Sequence, residues 1–156
     1  MIRRGRGGGA SQPRLIGEGD AVATWAELVK FIRRTYEIVR DEPDEIRIML
    51  RFGLDIDEAE RGQVMIIAHE TIEGSGDWVQ IATPFARVDE VDLRAVLEEA
   101  GNTLVVGNVV IMGDFLVLRH TLPLINLDGN EFVEPLNLLG GSAEQLEKHF
   151  TGRDDF

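Results

Sequence analysis

Residues 45–52 alternate without interruption. Ile46, Ile48, Leu50 and Phe52 fall to one side, and Arg47, Met49 and Arg51 to the other. A period of two marks a strand with one buried face. Residues 63–71 are apolar on both sides, which predicts a strand in the sheet interior. Residues 78–85 predict a third, with Val79, Ile81 and Phe85 facing the core. A polar stretch over 55–62 and a glycine-rich turn over 73–77 join them, so the three should form an antiparallel meander.

Elsewhere the spacing is helical. Val22, Trp25, Leu28 or Val29, Ile32, Tyr36 and Val39 recur every three to four positions, predicting a helix over 21–39. Asp20 would cap it and Asp41-Glu42-Pro43 would end it. A second helix should follow Asp89 as cap, with Asp92 in its first turn. Val91, Leu93, Val96 and Leu97 would form its buried side, and Gly101 would lie just beyond its end. Residues 104–112 and 115–124 read as a hairpin turning at Gly113-Asp114. The last helix should open at Asn130 and bury Phe132, Leu136, Leu139, Leu146 and Phe150. Pro135 suits only its early turns. Gly140-Gly141 either breaks this helix or lets it lie close to the sheet, and a continuous or mildly kinked helix is the prediction. The order α-β-β-β-α-β-β-α specifies an α+β fold, a mainly antiparallel five-stranded twisted sheet with helices on one face. One domain over 20–151 would lie between an Arg/Gly-rich tail, 1–19, and a short acidic tail, 152–156.

Composition narrows the function classes. A chain of 156 residues with 44% hydrophobic content can build a core without staples. It has no cysteine, which excludes disulfides, thiolate zinc sites and cysteine nucleophiles. No apolar run reaches the roughly 18 residues needed to span a bilayer, and no apolar stretch follows the N-terminal charges, so a cytoplasmic protein without a membrane partner is expected. The net charge of −12 repels phosphate, which argues against nucleic acid. The Arg3–Gly9 segment lacks the aromatic residues that would stack on RNA bases.

The chemical motifs stop short. His69-Glu70 opens like a zinc-protease helix, but Glu73 stands where the second histidine belongs. Asp55-Ile56-Asp57 opens like a calcium loop, but Glu60 replaces the glycine at its sixth position. Gly74-Ser75-Gly76 precedes no phosphate-binding lysine, and Ser11, Ser75 and Ser142 sit on no strand-to-helix elbow. His69, His120 and His149 belong to separate elements, and capping or solvated helix faces account for Asp89, Asp92, Glu98 and Glu99. No catalytic, cofactor-binding or metal-ligating residue is expected.

The element order, the hairpin strand Asp114-Phe115-Leu116-Val117-Leu118-Arg119-His120-Thr121-Leu122-Pro123-Leu124 and the helix Ala143-Glu144-Gln145-Leu146-Glu147-Lys148-His149-Phe150 resemble the YbjN family. The resemblance covers about residues 20–150 and implies a type III secretion chaperone-like fold, whose relatives form homodimers and hold extended partner segments on apolar surface. Gly140-Gly141 departs from that pattern. The fold alone does not establish function.

A sheet shielded by helices on one side leaves the other for a second subunit or a client chain. Met49 and Trp78, flanked by Arg47, Arg51 and Gln80, are expected there. If the strand register is reversed, Met49 and Trp78 fill the domain's own core instead. The expected function is a non-enzymatic, chaperone-like module binding proteins or peptides, as a homodimer. The alternatives are a regulatory adaptor for one folded partner, or a small hydrolase using His69 or His120 with carboxylates. A histidine–carboxylate pair in a deep pocket would favour the hydrolase.

Overall fold

The computed structural model describes residues 21–53 and 60–156. Among them, three α-helices accompany one six-stranded sheet, entirely antiparallel. The elements are α1 (Trp25–Thr35), β1 (Glu37–Glu42), β2 (Glu45–Phe52), β3 (Arg61–Ile72), β4 (Gly76–Arg87), a 3₁₀ turn (Val88–Glu90), α2 (Leu93–Thr103), β5 (Asn108–Met112), β6 (Phe115–Pro123) and α3 (Gly129–Thr151). Across the sheet the order is β1-β2-β3-β4-β6-β5. No helix among the described residues is long and apolar enough to cross a membrane. The Arg/Gly stretch, Asp20 and residues 55–59 lie outside the described residues.

The sixth strand corrects the predicted first helix. Thr24 caps α1, accepting from the Glu27 N–H, and the helix stops at Thr35. Tyr36 and Val39 continue the apolar spacing, yet residues 37–42 pair with β2, with a register shift between Ile38 and Arg40. β-branched Ile38 and Val39 fit a pleated strand better than a helix. Pro43-Asp44 forms the hairpin turn to β2, so the proline that seemed to end a helix instead reverses a strand. Arg33 grips Asp41 with two hydrogen bonds, 2.7 and 2.9 Å, and fastens α1 to this strand.

The other helix ends also shift. Asp92, not Asp89, caps α2 by accepting from the Arg94 and Ala95 N–H groups, while Asp89 sits in the preceding 3₁₀ turn. Leu97 is exposed rather than buried, and the helix runs through Gly101 to Thr103. Asp128 rather than Asn130 opens α3, in a reciprocal capping box with Glu131. β5 begins only at Asn108, because Gly107 turns the chain with φ +81°.

The core lies on one face of the sheet. Across adjacent strands Ile48 faces Met65, Ile67 faces Ile81, and Leu118 faces Thr83, all buried. Phe31 and Ile32 of α1, Val96 of α2, and Phe132, Leu136 and Leu139 of α3 join the same cluster. Phe31 meets Phe132 edge to face at 6.4 Å, locking α1 to α3. Helix α3 is continuous through Gly140-Gly141. It tolerates Pro135 in its second turn, at the loss of one N–H to the Glu131 carbonyl.

Gly107 supports a specific expectation. A Cβ there would lie 2.6 Å from Leu139 Cδ1 and 2.9 Å from the Arg119 carbonyl oxygen, on a backbone that already favours glycine. Gly107→Ala should lower stability by about 1–3 kcal/mol in urea unfolding. An unchanged midpoint would show that this turn relaxes freely.

Candidate functional site: a cleft on the open sheet face

The face opposite the core is partly apolar. Val64 and Ile66 of β3, Ala82 and Pro84 of β4, Phe115 and Val117 of β6, and Met112 of β5 line a cleft of about 400 Å³ together with Arg47, Asp155 and Phe156. None of these residues comes from a helix. Register explains the gathering. Arg47 pairs with Ile66, Ile66 with Ala82 and Ala82 with Arg119, and the neighbouring row carries Met49–Val64 and Pro84–Val117. Side chains two apart on one strand share a face, so the two rows form one patch.

The cleft floor is held rigid from beneath. Gln63 is fully buried, and its amide nitrogen donates to Thr83 Oγ1 at 2.7 Å and to the Pro84 carbonyl at 2.6 Å. Thr83 in turn donates to the Val64 carbonyl at 2.8 Å. This chain ties β3 to β4 where the β4–β6 register slips between Pro84 and Ala86. Alternation from Ile81 and Thr83 already places Phe85 in the core and Pro84 outward; the bulge turns Ala86 inward as well, so that Arg87 comes to lie over Phe115 on the outer face. Pro84 can sit here because a bulge needs one fewer N–H.

Arginines rim the patch. Arg47 lines it, ion-paired with Glu45 at 2.6 Å. Arg87 lies over the Phe115 ring, 5.4 Å from its centroid. Arg119 follows Val117 by two positions and meets Glu70 at 3.7 Å. Of the five residues expected on this face, only Arg47 borders the cleft. Met49 stands beside it, half-buried, with its Sδ against Gly62. Arg51 is exposed and bound to Glu37 and Glu60. Gln80 is buried between Ala68 and Thr121. Trp78 shares the face but sits four residues along β4 from Ala82, about 13 Å away at strand rise, with its indole N–H on Ser75.

The residues that sequence reading missed are Val64, Ile66, Ala82, Pro84, Phe115, Val117 and Phe156. Their signal was the two-sided apolar character of β3, which marked an interior strand without showing that its second face stays partly open. Phe156 had no signal, because residues 152–156 carry no periodicity.

That closing segment is bound from several sides. Arg61 contacts Glu144, Glu147 at 3.4 Å, and the Arg153 carbonyl. The Gly62 N–H donates to Asp154 at 3.4 Å and the Asp155 N–H to Glu147 at 3.1 Å. Arg153 bridges Glu90 at 2.5 Å and Asp155 at 2.6 Å. The chain thus passes round the strand ends and sets the Phe156 ring edge-on to Phe115 at 5.8 Å. Glu147 is fully buried. Its carboxyl is pushed up to about 7, chiefly by burial and further by the charges of Asp154 and Asp155, against the opposing pull of the Asp155 N–H and Arg61.

The histidines do different work. His69 stacks flat on Trp25 at 5.3 Å, with Asp77 at 3.1 Å and Asp44 at 3.6 Å. Trp25 also donates to the Pro43 carbonyl at 2.7 Å, so the pair pins the start of α1 to two turns. A histidine–carboxylate pair therefore exists, but it lies against Trp25 and outside the lining of the cleft. Thr71 and then His69 hold the Asp77 carboxyl below its usual range by hydrogen bonding. His120 borders a separate hollow of about 370 Å³ beside Asn108 and Arg119, and burial lowers its affinity for a proton. Among the described residues no group of three or more His, Asp or Glu side chains is placed to hold a metal ion. No protein-family model and no curated protein matches the chain.

Proposed function

We propose that the protein is a non-enzymatic binding module that holds an apolar segment of a partner polypeptide in the cleft of its open sheet face. The observation that carries this reading is the cleft itself. About 400 Å³ of mostly apolar space opens on a face that none of the described helices lines, over a floor made stiff by the Gln63–Thr83–Val64 bonds. A preformed apolar surface lowers the ordering cost of binding, and its arginine rim supplies orientation. The likeness to YbjN and secretion-chaperone folds points the same way at fold level only.

The homodimer belongs to this proposal through the β5 edge of the sheet, which shares only Met112 with the cleft. Edge strand β1 is guarded by Glu37, Arg40, Asp41 and Glu42, charges that discourage pairing. Edge strand β5, Asn108–Met112, carries no charge and exposes Ile111 and Met112. Two copies joined along β5 would extend the sheet and leave the cleft open for a client.

Amide chemical shifts, recorded while an apolar nonapeptide is titrated, test the cleft. Residues 64, 66, 82 and 117 should move, and those of α1 and α2 should not. Ile66→Glu should weaken binding about tenfold or more by placing a charge on the floor. Shifts confined to the helical side, or unchanged affinity in that variant, would reject the site.

A further inference from the structure

Residues 153–156 join a buried acid under α3 to the cleft on the far face. The Glu147 carboxyl is fully shielded from water, and charged groups reach it from three places. From β3, Arg61 comes within 3.4 Å while also contacting Glu144 and the Arg153 carbonyl. From α3 itself comes Glu144, whereas the Thr151 hydroxyl bonds the Glu147 carbonyl rather than its carboxyl. From the closing segment come the Asp155 N–H at 3.1 Å and the charges of Asp154 and Asp155. Arg153 is engaged elsewhere, by Glu90 at 2.5 Å and Asp155 at 2.6 Å. His149, two residues along α3, lines a hollow with Glu99 and Thr103 of α2. Glu144, Asp154 and Asp155 thus surround the Glu147 carboxyl, with Arg61 as its cation. A further negative charge is costly in such a place, so the segment sits best on a Glu147 that carries its proton. One residue beyond the Asp155 N–H, the Phe156 ring lies edge-on to Phe115 and lines the cleft.

We infer that residues 153–156 form a pH-sensitive latch on the cleft, held while Glu147 is protonated and loosened when it ionises, so that a partner's apolar segment gains Phe115 as pH rises. This rests on the cleft being a binding surface and adds how access to it is regulated. The direction follows from linkage. With the latch held, the Glu147 carboxyl is pushed up to about 7, and with the latch released it returns towards water and its ordinary 4.5. The latch is therefore strongest below pH 4.5 and weakens as pH rises to about 7, by up to about a hundredfold in its closing equilibrium. Phe156 is tied one residue from its anchor and meets Phe115 at millimolar effective concentration, so loosening it shows directly in partner affinity.

Two measurements on the full chain at pH 5 and pH 8 test the latch. The nuclear Overhauser contact between the Phe115 and Phe156 rings follows the latch without any ligand. Fluorescence anisotropy of a labelled, neutral nonapeptide of leucine, valine and glycine follows the cleft. At pH 8 the ring contact should weaken and the peptide should bind about tenfold more tightly than at pH 5. Glu147→Gln, which cannot ionise, should keep the ring contact and the pH 5 affinity at both values. His149→Gln should behave as the unaltered protein. Phe156→Ala should bind tightly at both values, and it decides the matter if circular dichroism shows Glu147→Gln to be unfolded. A ring contact that is the same at both pH values, or a pH response that survives Glu147→Gln or Phe156→Ala, overturns the latch. So does a contact that loosens without a rise in affinity, and in both cases the cleft reading stands as long as the peptide binds. If the peptide binds none of these proteins at either pH, the cleft reading and the latch fall together.

Discussion

Replacing Arg61 by methionine should cost about 3–5 kcal/mol at pH 8 and clearly less at pH 5, measured by urea unfolding at both. Arg61 is largely buried and is the cation in contact with Glu144 and Glu147, themselves shielded from water. Without it, the fully buried Glu147 carboxylate loses its countercharge while Asp154 and Asp155 remain close by in the chain. The pH dependence follows from the raised carboxyl. Below its ordinary value of 4.5, Glu147 is protonated whether the protein is folded or not, and its ionisation costs nothing. Between 4.5 and about 7 the folded protein keeps a proton that the unfolded chain has released, so stability falls as pH rises. The full decline from this group is about 3 kcal/mol. Methionine at position 61 raises the cost of the ionised form alone, which enlarges the deficit above pH 7. Glu147→Gln should flatten the slope over the same window. Equal losses at both pH values would mean that Glu147 does not sense Arg61. The same substitution frees residues 153–156, so amide exchange there should accelerate even where the fold holds.

Two adjacent glycines in α3 should differ in the size of side chain they accept. A Cβ at Gly140 would fall 2.8 Å from Leu50 Cδ1, 3.2 Å from Met65 Sδ and 3.3 Å from Phe52 Cζ. These atoms are the ends of side chains on β2 and β3, so one methyl can be absorbed by small shifts, and helix propensity returns about 1 kcal/mol. A branched side chain cannot be absorbed. Gly140→Val should lose about 2–3 kcal/mol through overpacking. At Gly141 the nearest atom is Phe52 Cε1 at 3.9 Å, an ordinary contact. Gly141→Ala should therefore gain about 0.5–1 kcal/mol, raising the melting temperature by about 2–4 °C. If both substitutions destabilise alike, α3 does not lie against the sheet in this register.

These glycines show where local reading runs out. That the helix continues through them and lies close to the sheet was an expectation from sequence, and the structure agrees. Which of the two makes the close approach was not legible, because it depends on the rotation of α3 over Leu50 and Met65. The alternation of 45–52 placed Ile46, Ile48 and Leu50 inward, and Val79, Ile81 and Phe85 likewise face the core. The sheet's first strand was hidden because Tyr36 and Val39 fit a helical spacing as well as a strand. Pairing with β2 and the Arg33–Asp41 contact decided between them. Helix caps moved by two to four residues for a similar reason. Asp20, Asp89 and Asn130 are adequate caps by residue type, and packing chose Thr24, Asp92 and Asp128.

The amino-acid order alone determined an α+β domain built on antiparallel strands, with a core drawn from one side of each strand. Periodicity is a local property, and burial rewards it wherever the chain goes. Only tertiary structure decided that the second face carries an apolar cleft off to one side of Met49 and Trp78, and that Phe156 reaches it. Register across β3, β4 and β6, and the path of residues 152–156 round the strand ends, join positions up to 109 residues apart, as in Arg47 and Phe156. No window of sequence contains such a contact. It exists because the whole sheet must form before its far face has a shape.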